Sequence, residues 1–226
     1  MAADSADLTD RPILLTQVAR ALGLQGKFEE AAALLDSLPG SNAELEVRTL
    51  LERGRVLNSS GSPADARPLF KAAFHAATTA QLEHLAIDAL HMEAIVAPPG
   101  EQDKLNDEVL ALAALASDPR ARQWRASLLN NMGWTAFDRG DHAAALGLFE
   151  EALAARIEQG KPAEVLIARW CIARMLRALG RLDEALAIQQ ALATEHAAAG
   201  TTDPYVQEEL TELAAALTAG SPPTPA

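Results

Sequence analysis

The chain has 226 residues, 49% apolar, 4% aromatic and 22% charged, with 19 basic against 31 acidic side chains for a formal net charge of −12. A chain of that length buries about 70% of its unfolded surface without staples, and its single cysteine excludes a disulfide framework. No apolar run approaches the ~20 residues of a membrane span, the opening MAADSADLTDR lacks the layout of a secretory signal, and the acidic balance excludes general nucleic-acid or anionic-membrane binding. A cytoplasmic protein is expected.

Abundant Ala and Leu with few aromatic and β-branched residues favour helices over sheet. Apolar periodicity predicts eleven helices, at 10–23, 27–38, 42–58, 63–76, 79–96, 101–116, 119–138, 141–158, 162–179, 181–198 and 204–218. Their starts are marked at Asp10, Ser62-Pro63, Asp118-Pro119, Asp141 and Asp203-Pro204, where a capping side chain often precedes a proline at the first helical position. Residues 1–219 are read as one domain. The tail GSPPTPA, 220–226, is expected to be disordered.

Four stretches share one spacing: 21–35, 57–70, 137–153 and 178–192. In each a turn glycine (Gly26, Gly61, Gly140, Gly180) is followed five residues later by an alanine (Ala31, Ala66, Ala145, Ala185). The glycine supplies the positive φ that stops a first helix, and the small alanine lets a second pack closely against it. An irregular unit near Pro98-Pro99-Gly100 fills the double gap between Gly61 and Gly140. The pattern resembles the tetratricopeptide repeat family, of bacterial type, best at 130–153 through Met132, Gly133, Gly140, Ala145, Phe149 and Ala152, with Leu129 just ahead. The 50–73 unit matches through Leu50, Gly54, Leu57, Gly61, Ala66, Phe70 and Ala73. Ala136 and Ile157 depart from the motif's usual Tyr and Pro. The resemblance implies an all-α, right-handed αα-hairpin solenoid of about five repeats plus a C-terminal capping helix.

It also implies that the first helix of each hairpin lines a concave groove. Counting back from the turn glycines places Arg55 there in the second unit, with Arg48, Glu52 and Asn58. The irregular third unit places His84, Asp88 and His91, the fourth Asn130, Asn131, Trp134 and Phe137, and the fifth Trp170, Arg174 and Arg177. Arginine suits bidentate recognition of carboxylate or phosphate, and tryptophan offers a flat face for stacking. A groove for an anionic partner is one reading. The other is that the arginines pair with Glu52, Asp88 and Asp138, and that the tryptophans fill core.

His84, Asp88 and His91 have metal-ligand types on one helical face, a weak candidate because no HExxH signature accompanies them. Cys171 at a packing position reads as core, and Glu208, Glu209 and Glu212 as a solvated face. No phosphate loop or nucleophile elbow is present. The expectation is therefore a scaffold without catalytic residues or cofactor. It would bind a peptide or protein, with an acidic or carboxylate group, and mediate protein–protein interaction. The alternative is a small-molecule-binding or metal-assisted enzyme using His84, Asp88 and His91. Homodimerisation through Ile13, Leu14, Val18 and Leu22 stays open.

Overall fold

A computed structural model describes residues 3–40 and 42–220, with side-chain burial from residue 11 to 219. The expected disordered tail, but for the backbone of Gly220, lies outside the described residues. Among those residues the fold is all-α, with twelve helices and no strand. The described residues up to 124 and those from 125 onward form two compact units, each with its own core.

The first unit contains α1 (Ala3–Leu24), α2 (Phe28–Asp36), α3 (Ala43–Ser59), α4 (Pro63–Thr79), α5 (Glu83–Val96), α6 (Pro99–Leu115) and the single turn α7 (Pro119–Arg122). Successive helices pack as hairpins, and α3 also touches α1 and α5, so the first helices of neighbouring hairpins form one layer. Leu51, Ala66, Phe70, Ala73 and Ala89 fill the centre of this core, each essentially without exposure. The fit is set by Gly54. A Cβ there would fall inside the contact distance of the Phe70 ring, so only glycine allows α3 and α4 to meet this closely.

The second unit contains nearly all of α8 (Trp124–Asp138), then α9 (His142–Glu158), α10 (Pro162–Ala178), α11 (Leu182–Ala198) and α12 (Pro204–Gly220). Ala145, Phe149, Cys171, Met175, Ala185 and Leu213 form its centre. Gly133 repeats the role of Gly54, because a Cβ there would stand 2.9 Å from Phe149 Cε1. Helix α12 packs over α10 and α11, burying Val206 and Leu213.

The anticipated turn glycines all take positive φ, from 74° at Gly180 to 92° at Gly61. Most expected boundaries shift by one to three residues, and three differ more. Helix α1 runs back past Asp10 with Pro12 inside it. The helix expected at 79–96 starts at Glu83, because Gln81 takes φ 57° and closes α4 as a glycine would. The helix expected at 119–138 breaks at Gln123, where Arg122 Nη1 donates to the Ala116 and Ser117 carbonyls and ties α7 back onto the preceding segment. Asp118, Asp141 and Asp203 cap as read, each accepting backbone N–H bonds. Ser62 makes no side-chain capping bond, while Asn42, not foreseen, accepts from Leu45 N at 2.8 Å.

Candidate functional site

In the first unit, α3 and α5 bring Arg55 between two carboxylates. Its Nη1 lies 2.5 Å from Glu52 Oε1 and its Nη2 2.5 Å from Asp88 Oδ1. Arg20 from α1 approaches the same Glu52 oxygen at 3.5 Å, and Arg48 pairs with Glu44 on its own helix at 2.9 Å. Burial pushes the Glu52 carboxyl up, against the pull of Arg55 and Arg20. For Arg55 burial acts to lower the pKa, but Asp88 and Glu52 outweigh it and hold the guanidinium charged.

The two histidines of α5 face different neighbours. His84 Nδ1 lies 3.3 Å from Asp118 Oδ2, and burial, helped by Arg120, lowers its pKa. The His91 ring sits 5.8 Å from the Trp124 ring at a tilt of 59°, and burial lowers its pKa too. Asp88 is engaged by Arg55. Among the described residues, no group of three or more His, Cys, Asp or Glu side chains could hold a metal ion. The helical spacing that puts His84, Asp88 and His91 on one face does not make them converge on one point.

In the second unit, α8 and α10 bring together Trp134, Phe137, Trp170 and Arg174. The Trp134 ring lies 6.2 Å from Trp170 and 5.6 Å from Phe137. The Arg174 guanidinium carbon stands 5.8, 5.6 and 5.4 Å from the Trp134, Phe137 and Trp170 centroids, within cation–π range of all three. Its side chain stays 35% exposed. The tryptophans are half-buried, so each serves core and surface at once. Asn131 is exposed and Asn130 half-buried on the same helix.

The expected solvated face of α12 is corrected at one position. Glu209 is 3% exposed, because Val206, Glu209 and Leu213 share the face that α12 turns toward α10. Arg177 grips it with two parallel bonds, Nε to Oε2 at 2.8 Å and Nη2 to Oε1 at 3.0 Å, and Arg174 reaches it at 3.7 Å. Asp138, considered as a partner for these arginines, is exposed. Trp124, Asp118 and Glu209 were not singled out as site residues. A signal for Glu209 existed: its spacing of 32 residues from Arg177 repeats the 32 of Arg20 and Glu52 and the 33 of Arg55 and Asp88, about one repeat.

Hairpins with left-handed turns, glycine-to-phenylalanine helix contacts and ion pairs one repeat apart define a helical-repeat protein. The tetratricopeptide repeat family model matches residues 18–80 and 130–204, and the chain belongs to that family. Repeats of this kind generally mediate protein–protein interaction. Similar solved structures include a Podosopora anserina putative kinesin light chain with nearly identical TPR-like repeats, carrying a Q17M change, at TM-score 0.62 and 17% identity over 84% of this chain and 97% of that one. BtubC from P. vanneervenii matches at TM-score 0.61 and 17% identity over 99% and 90% of the two chains. A signal-transduction ATPase from Pyrococcus horikoshii with a tetratricopeptide repeat sensor matches at TM-score 0.71 and 14% identity, over 93% of this chain and 32% of that one. At these identities the likeness is one of fold. A search of curated proteins finds no sequence match. No described helix is long and apolar enough to cross a membrane.

Proposed function

We propose that this chain is a non-catalytic scaffold whose second unit holds a protein or peptide segment on the α8/α10 face. Trp134 and Trp170 would take apolar or planar side chains, and Arg174 a carboxylate. The observation that carries this reading is the setting of Arg174. Its guanidinium is oriented by three rings, partly exposed, and only loosely engaged by Glu209 at 3.7 Å. Trp and Arg are the side chains most enriched at binding hot spots. Arg177 plays a different part, since its bidentate pairing is spent on anchoring α12. Arg55 is likewise closed by Glu52 and Asp88. An acidic partner is therefore expected to engage Arg174 rather than the whole set of groove arginines.

The test is a peptide array probed with the full chain, with W134A and R174A run beside it. Binding peptides should lose at least fivefold in signal with either variant, while circular dichroism and the unfolding midpoint stay close to those of the parent. Amidating the C-terminus or neutralising the acids of a binding peptide should cost similarly. Unchanged capture by both variants, or loss that only tracks unfolding, would reject the assignment.

A further inference from the structure

Within the second unit, the junction of α10, α11 and α12 holds an open cavity of about 450 Å³, inside the range of clefts that take small organic ligands. Leu192 and Val206 close its floor, the half-buried Leu166 and Trp170 form one wall, and Ile167 and Tyr205 stand at the mouth, 58% and 64% exposed. Four large apolar side chains of this unit are exposed among the described residues, and two of them rim this one opening. The Trp170 and Tyr205 rings lie 6.1 Å apart at 66°, and the Trp170 indole N–H donates to the Tyr205 carbonyl at 3.2 Å. The two rings make a fixed corner. A flat guest there stacks on one ring and meets the edge of the other, the two arrangements that aromatic pairs favour.

The polar end of the cavity is acidic. Asp203 Oδ1 accepts the Tyr205 and Val206 backbone N–H groups at 2.8 and 3.3 Å, which caps α12 and fixes the carboxylate. Among the described residues, Asp203 Oδ2 meets only His196 Nε2, at 3.8 Å and beyond hydrogen-bond reach, while His196 Nδ1 is turned to the Thr201 hydroxyl at 3.3 Å. The Asp203 side chain lines the cavity and keeps 34% exposure, so an acceptor stands open at its end. No lysine or arginine is among the described residues that line the cavity. With His196 neutral the lining carries one negative charge, in a chain of net charge −12, which attracts a cation and repels a carboxylate. We propose that this cavity binds a small aromatic amine, with its ring in the Trp170 and Tyr205 corner and its ammonium on Asp203 Oδ2. A bare metal ion or a short alkyl ammonium would leave the apolar walls wet, and a neutral arene would leave the carboxylate unanswered. Trp170 is shared with the face proposed for protein partners. Asp203 and Tyr205 do not belong to that face, so either reading can fail without the other.

The experiment is calorimetric titration of the full chain with phenethylamine, tyramine and tryptamine. At least one should give a saturable one-site isotherm. Its N-acetyl derivative keeps the ring and loses the charge, and should bind about tenfold more weakly, the value of one lost charge-assisted bond. The arylpropionate with the same ring, and hexylamine with no ring, should not saturate. Asp203→Asn keeps an N-cap acceptor and should bring the amine and its acetylated form within about twofold of each other. Tyr205→Ala, at an exposed position, should weaken both forms by at least about threefold while the helical spectrum stays that of the parent. If either variant unfolds, the ligand series on the parent chain decides. No isotherm with any of the three amines, or binding of the acetylated form, the arylpropionate or hexylamine as tight as that of the amine, would overturn the inference. So would an amine preference that survives Asp203→Asn, or affinity indifferent to Tyr205→Ala.

Discussion

Arg177 and Glu209 form a two-point ion pair across the α10/α12 contact, with bonds of 2.8 and 3.0 Å to a carboxylate that is 3% exposed. Removing one partner strands the other away from water. Glu209→Ala is expected to destabilise the second unit by about 1–3 kcal/mol, less than for a fully buried pair because Arg177 retains 27% exposure. A double-mutant cycle with Arg177→Met, read by denaturant unfolding, should give a coupling of at least about 1 kcal/mol. Additive losses would show that α12 is held by its apolar face alone.

The glycine-to-ring contacts predict a cost where a methyl group is added. Gly133→Ala would set a Cβ 2.9 Å from the Phe149 ring and should cost about 1–3 kcal/mol. Phe149→Leu should relieve part of that loss in the double variant, a rescue that equilibrium unfolding measures directly.

Acid should weaken the first unit before it protonates ordinary carboxylates. His84 and His91 both have folded-state pKa values below the usual 6.5, so the unfolded chain binds protons first as pH falls. Their contribution is full above about pH 6.5 and is lost as pH falls through the lowered values. Glu52, with a raised pKa, acts in the opposite sense at lower pH and limits the total fall. The unfolding midpoint should drop between pH 7 and about 5, and His84→Gln should flatten that slope.

Cys171 is buried in the second core, and burial pushes its thiol up to about 12. It should resist alkylation by iodoacetamide at pH 8 in the native protein and react on unfolding. Native-state reaction rates should therefore track opening of α10, and rapid labelling without unfolding would contradict the packing described.

The hairpins were legible because local chemistry decides them: Gly61, Gly140 and Gly180 each stop a helix wherever the rest of the chain lies. Gln81 stops one too, but it carries no glycine signal, so α5 was expected to begin too early. The proximity of Trp134, Trp170 and Arg174 was also readable, since the repeat register placed them on matching helix faces, and their side chains do meet. Which acids the other arginines meet was not. Pairing of Arg55 with Asp88 and of Arg177 with Glu209 depends on how neighbouring hairpins stack. Glu209 looked solvated inside an acidic run, although its spacing from Val206 and Leu213 marked it as inward-facing.

The ion pairs one repeat apart carry an evolutionary consequence. Arg20 reaches forward to Glu52, and Arg55 to Asp88, so the first two hairpins each supply a cation to an acid on the next. A duplication or deletion of one whole repeat would bring another acid near the vacated place. An insertion of any other length would leave a guanidinium facing the wrong neighbour. The bridges thus act as a length gauge, selecting for growth of the chain in whole repeats.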